Sequence, residues 1–108
     1  MDRFRVTQQV NNVKVYKMEQ RNVVYIGRKP VMAYCLAVMT VLKAEDSEVT
    51  LMARGRAIST AVDVAEIVRN QFVADLKVKD ISIGTEQLEN EDGSPRNVSN
   101  ISIQLAKD

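Results

Sequence analysis

A two-layer α/β (α+β) fold is predicted by these 108 residues, in the order β-α-β-α-β-β, with a mixed four-stranded sheet carrying two helices on one face. Three observations predict it. Two β-rich runs reach a glycine, NVVYIG (22–27) and EVTLMARG (48–55), and each is followed by a run whose apolar residues recur at helical spacing. The last third of the chain alternates apolar and polar residues on both sides of a loop with Asp92-Gly93 at its turn. Strand-helix-strand links favour parallel neighbours joined by right-handed crossovers, and the final pair closes as a hairpin.

NVVYIG is the first strand of this pattern, and KPVMAYCLAVMTVLK follows with Pro30 where a first helical turn tolerates it. Val31, Cys35, Val38 and Leu42 recur at i, i+4, i+7 and i+11, flanked by Met32, Leu36 and Met39, so the apolar face is broad. The acidic loop AEDSE ends this helix. EVTLMAR is the next strand, and Gly55 breaks it before AISTAVDVAEIVRNQF, the second helix. At about 100° per residue, Ile58, Ala61, Val62, Ala65, Val68 and Phe72 fall within one arc of ~120°, assigned to the sheet. Val64 and Ile67 lie beyond that arc, while Ser59, Asp63, Glu66 and Asn70 fill the polar sector. A helix packed on one sheet face needs one stripe of a little over ~100°. The surplus points to a protein partner, most simply a second copy of the chain, with Val64 and Ile67 as oligomer contacts; scattered surface apolar residues are the alternative. KVKDISIGTEQLE and VSNISIQLA, with Ile81/Ile83 and Ile101/Ile103/Leu105 alternating, complete the sheet.

The length fits a single domain burying roughly two thirds of its unfolded surface. Its core is aliphatic, because the chain has no Trp and only two Phe and three Tyr. The N-terminal stretch lacks the apolar segment of a signal peptide, and no run approaches the ~20 apolar residues of a membrane span, so no membrane partner is expected. Cys35 sits in an apolar helical context and reads as a small buried hydrophobe. With no histidine and one cysteine, Cys/His zinc sites and His-based triads are excluded, and no metal or cofactor is expected. Residues 1–20 carry four bases and two acids, 21–60 six and three, and 61–108 five and nine. The balance therefore runs +2, +3, −4 beneath a net charge of +1.

Arg54, Gly55 and Arg56 fall where a strand passes into a helix, a place where free backbone N–H groups and the helix dipole favour an anion. Arg28 and Lys29 occupy the same kind of junction before Pro30. In parallel β-α units the strand ends lie at one edge of the sheet, so the two basic pairs converge. The alternative is that Arg54 and Arg56 pair with Asp63 or Glu66. Phosphate-loop and dinucleotide glycine patterns are absent, which favours a polyanion over a nucleotide cofactor. An enzyme built on this chain would use Arg54 and Arg56 as clamps with Asp63 or Glu66 as base.

NVVYIGRKPVMAY, ARGRAISTAVDVAEIVRN and DGSPRNVSNISIQLA together resemble, in order and spacing, the signature blocks of Alba, the archaeal chromatin and RNA-binding family. The resemblance implies a fold like the C-terminal domain of translation initiation factor three, no enzymatic activity, and a homodimer. It further implies binding of double-stranded DNA and RNA with little sequence preference, coating or condensing DNA in a cytoplasmic, chromosome-associated setting. Arg28 and Lys29 match the family's first basic pair, and Arg54, Gly55 and Arg56 match its RGR; these would rest on phosphates while the hairpin arm, with Arg96 near its tip, reaches along the minor groove. Phe72 matches an aromatic of family dimer-dimer contacts. Met52 and Thr60 stand where relatives often carry lysine, Arg28 stands where a lysine is often open to acetylation, and Glu91 and Asp92 share the tip with Arg96. An oligomeric scaffold subunit of a ribonucleoprotein, with weak direct nucleic-acid affinity, is the alternative function. Because the resemblance starts near Asn22, residues 22–108 are expected to form the domain. Residues 1–21 are then an N-terminal extension, favoured as a tail although VKVYKM could pair as a strand, with 1–17 dispensable for stability.

Overall fold

The computed structural model describes all residues except 1–3, 19, 20, 44–46 and 108. Its elements are β1 (Phe4–Val10), β2 (Val13–Met18), β3 (Arg21–Tyr25), α1 (Val31–Lys43), β4 (Glu48–Arg54), α2 (Ala57–Ile67), a π-helical turn (Val68–Phe72), β5 (Leu76–Glu89) and β6 (Pro95–Lys107). The predicted class holds, but among the described residues the sheet has six strands instead of four, in the order β1-β2-β3-β4-β6-β5. Only β3 and β4 pair in parallel; the other neighbours are antiparallel. Part of the expected acidic loop, 44–46, lies outside the described residues.

Side chains of directly paired residues project to the same side of a sheet. Val15, Val24, Leu51 and Ile103 therefore form one row across β2, β3, β4 and β6. All four are buried in the core, where α1 lies over β1 to β4 and α2 over β4 and β6. Cys35 is buried there too, as expected. The row continues to Ile81 on β5, and its neighbour runs from Ala53 through Ile101 to Ile83. Neither helix extends over β5, so Ile81 is 56% and Ile83 82% exposed. A bulge between Val78 and Asp80 keeps Ile81 and Ile83 on the same face as Val78, since one extra residue reverses the side-chain alternation.

The face that α2 buries differs from the predicted arc. Ala61, Val64, Ala65 and Val68 are its buried residues, while Val62 and Phe72 are exposed. On a helical wheel the buried stripe is turned by about 50° from the predicted one. Val64 is therefore enclosed in the chain's own core and is not available to a second copy; Ile67 is half-buried against that core. The π-helical turn contributes as well, closed by Val73 N–H donating to Val68 O at 2.7 Å. Its wider spacing swings Phe72 out of the stripe that a regular helix would continue.

Residues 4–18 are not a tail. β1 and β2 form a hairpin around Asn11 and Asn12, both in the left-handed region with φ of 49° and 64°, as a two-residue hairpin turn requires. β2 then pairs with β3 from Val15–Val24 to Met18–Arg21, and Val13 and Val15 enter the core at 2% and 0% exposure. Those two burials, at about 1.5–3 kcal/mol for each such side chain, reverse the expectation that residues 1–17 are dispensable. A chain beginning at Met18 is expected to lose at least ~2 kcal/mol and to melt roughly 10 °C lower, measured by thermal unfolding; an unchanged melting temperature would show that the hairpin adds nothing.

Candidate nucleic-acid interface

The parallel ladder of β3 and β4 pairs Val23 with Thr50, Val24 with Leu51 and Tyr25 with Met52, so both strands end at one edge. Ile26 N–H donates to Met52 O at 2.8 Å and prolongs the pairing to the point where the two chains diverge. Arg28 and Lys29 lie just beyond β3; Arg54 closes β4, followed by Gly55 and Arg56. The β5-β6 hairpin runs past the same edge. Arg28, Lys29, Arg54, Gly55, Arg56 and Arg96 all line one depression of about 1120 Å³. The expected convergence of the two basic pairs is found, and Arg96 joins them from the arm.

Two local devices hold the basic loops. The Tyr34 hydroxyl, buried at the start of α1, accepts hydrogen bonds from Gly27 N–H at 2.8 Å and Lys29 N–H at 3.1 Å. Sequence reasoning attached no role to Tyr34, because nothing in a helical pattern separates an aromatic packing residue from one whose hydroxyl clamps the preceding loop. Gly55 has φ +59°, where a side chain costs roughly 1–2 kcal/mol, and its N–H donates to Ser99 O at 2.9 Å, tying the β4-α2 turn to β6. The first turn of α2 has no acidic residue, and Arg56 at its N-cap makes no side-chain capping bond. Backbone donors at this end remain for water or an anion.

Charge pairing differs from the alternative weighed on the sequence. Arg54 reaches Glu86 on the arm at 3.5 Å, while Glu66 is taken by Arg69 at 2.6 Å. The Arg54–Glu86 pair is 57% and 41% exposed, so it holds Arg54 only loosely. Glu86 also accepts from Asn100 Nδ2 at 3.0 Å. Arg28, Lys29, Arg56 and Arg96 have no ion pair among the described residues. At the arm's tip, Asp92 accepts from the Ser94 hydroxyl at 2.6 Å and Ser94 N–H at 2.9 Å, which holds its carboxyl below the usual carboxylate range. Phe72 is elsewhere. It lies beside Met39 and Lys43 near the far end of α1, about 20 Å of helix from Arg28 and Lys29.

The Alba family model matches residues 22–85, more than half of the chain. The chain belongs to the Alba family. Alba relatives include DNA/RNA-binding protein Alba 1 of Archaeoglobus fulgidus, 58% identical over 80% of this chain and 96% of its own length. DNA/RNA-binding protein Alba of Methanothrix thermoacetophila is 54% identical over 83% of this chain and its whole length. Among solved structures, Alba from Thermoplasma volcanium superposes with a TM-score of 0.76 at 44% identity, over 80% of this chain and all of that one. Alba is a family of nucleic-acid-binding proteins and not of enzymes. The β1-β2 hairpin lies outside the residues that the Alba model matches.

The Tyr34 clamp generates a test. Tyr34→Phe is expected to leave two N–H groups without their acceptor, lowering stability by about 1–2 kcal/mol, and to weaken duplex binding in a gel shift although no cation is removed. Unchanged binding by this variant would mean that the loop holds its shape without the hydroxyl.

Proposed function

We propose that the chain is a homodimeric coat of double-stranded DNA and RNA, bound through phosphates with little sequence preference. The observation that carries this reading is the shared depression of Arg28, Lys29, Arg54, Arg56 and Arg96 beside the α2 N-terminus. Relatives named as DNA/RNA-binding proteins support it. Phosphate contacts position a duplex without reading its bases, and the arm carrying Arg96 extends from the same depression toward a groove. Exposed Ile81 and Ile83 supply the apolar surface for a second copy, and half-buried Ile67 of α2 lies on the same side of the sheet. Phe72, 48% exposed and remote from the basic residues, is suited to contacts between neighbouring dimers along one duplex. Coating of chromosomal DNA in the cytoplasm of an archaeon is the setting this reading implies. The acidic residues around Arg96 favour, as a second reading, a ribonucleoprotein scaffold with weak direct affinity.

Salt dependence separates the two. Four cations per chain lack an ion-pair partner among the described residues, 2 × 4 = 8 per dimer, so the slope of log affinity against log salt should approach about −7 at ~0.9 per phosphate. Arg56→Ala should reduce its magnitude by about 2 and weaken binding equally on unrelated duplexes, with dimer mass unchanged. A flat slope in the unaltered protein favours the scaffold.

Light scattering examines the dimer. Ile83→Glu is expected to convert a dimer into a folded monomer at micromolar concentration, because it places a charge at the middle of the apolar patch. A dimer that survives this change does not use that surface.

A further inference from the structure

The sheet has a second face that neither helix covers, and its composition is unusual. Tyr25, Met52, Ser102 and Ser82 are paired in turn, making one straight row across β3, β4, β6 and β5. The next row is Arg54, Asn100 and Gly84. Together with Glu86, all of these but Gly84 line an open groove of about 750 Å³. Tyr25 is 44% exposed there, and its ring meets that of Tyr16, on β2, edge to face with centroids 5.5 Å apart. Gly84 leaves the room that the Asn100 amide fills, since a Cβ would stand 3.0 Å from its oxygen. The groove thus has an aromatic floor at one end and amide, hydroxyl and carboxylate groups at the other. Arg54 lines both this groove and the basic depression.

From this continuity we infer that the helix-free face is a stacking platform for an unpaired base of single-stranded nucleic acid, with Tyr25 as the stacking residue. The inference rests on the nucleic-acid reading of the adjoining depression. A strand whose phosphates lie on Arg54 and Arg56 places its next bases over the Tyr25 row. An aromatic ring on an open sheet holds a base through its π-face whatever the sequence. Asn100, Ser82 and Ser102 offer donors and acceptors to the base edge, and Glu86, its charge balanced by Arg54, accepts from an amino group. Burial first, then Tyr16 and Glu86, raise the Tyr25 hydroxyl above its usual range, so the ring stays neutral. A duplex has no base free to stack on this face, because its bases are stacked on one another. Tyr16 comes from the hairpin outside the family-matched residues, so the platform depends partly on that addition.

Titrating the full chain with labelled oligouridylate, oligodeoxythymidylate and a blunt duplex tests the idea. With no tryptophan and only Tyr16, Tyr25 and buried Tyr34 present, tyrosine emission reports stacking directly. Both single strands should quench it. Tyr25→Leu should weaken single-strand binding about tenfold and leave duplex binding and dimer mass unchanged, while Tyr25→Phe should bind as the parent does. Single-strand affinity unaltered by Tyr25→Leu overturns the platform, as does a changed oligomeric mass, which would make this face a protein contact. Arg56→Ala keeps the two readings apart. If it spares duplex binding while Tyr25→Leu abolishes single-strand binding, the phosphate reading falls and the platform stands; the reverse pattern removes the platform alone.

Discussion

Three parallel pairs, Val23–Thr50, Val24–Leu51 and Tyr25–Met52, set the position of the cations in the basic loops. A parallel pair needs a crossover, and a right-handed crossover through α1 packs that helix back on the sheet with its N-terminus at the strand ends. Arg28–Lys29 and Arg54–Gly55–Arg56 therefore leave the sheet side by side. Had β3 and β4 paired antiparallel, one basic pair would sit at each end of the molecule. The Tyr34 clamp and the left-handed Gly55 then fix loop shapes that the ladder has already brought together.

The hairpins at the two sheet edges solve different problems. β1-β2 covers the edge of β3, and its Val13 and Val15 widen the core under α1. An unpaired strand edge next to the basic loops would invite pairing with other chains. β5-β6 does the opposite, leaving apolar surface bare. Its bulge turns Ile81 and Ile83 toward the helix layer, but the helices stop at β6. One face of the sheet is thus incomplete within a single chain, and the other presents Tyr16 and Tyr25 with polar groups around them.

How much of this was legible depended on whether a signal was local. Strand-glycine-helix junctions are local, and both basic pairs were placed from them; the Asp92-Gly93 turn was placed from the equally local alternation on both sides of it. The class followed, because alternation and helical spacing decide it without knowledge of contacts. Val64 was misplaced because seven of the α2 positions from 57 to 67 are apolar, Ala57 among them, and a wheel so filled has no sharp centre of hydrophobicity. Only the actual angle of packing against β4 and β6 selects the buried stripe. The N-terminal hairpin was undervalued for another reason: the family resemblance begins at Asn22, although Asn11-Asn12 between two alternating runs is a hairpin signal in its own right. Pairing of Arg54 with Glu86, 32 positions away, could not be read from spacing, which favours near neighbours such as Asp63 and Glu66.

Net charge is a poor guide to this molecule, and the range of electrostatics explains why. The chain carries only +1, with most of its acids in the second half. At physiological salt, charges further apart than about 8 Å are largely screened. Val98 lies against Gly55 and pairs with Glu86, whereas Glu91 is five residues further along the arm, about 16 Å at ~3.3 Å per residue. The tip acids therefore lie about two screening lengths from the Arg54–Arg56 turn. Glu86 does not: at 3.5 Å it lies within one screening length of Arg54. As salt falls to ~0.01 M the screening length grows to about 30 Å, and the tip begins to oppose the same phosphates that the loops attract. The arm's acids thus subtract most where attraction is strongest. They flatten the salt response at its low end while leaving Arg28, Lys29 and Arg56 of the depression to act together under cellular conditions.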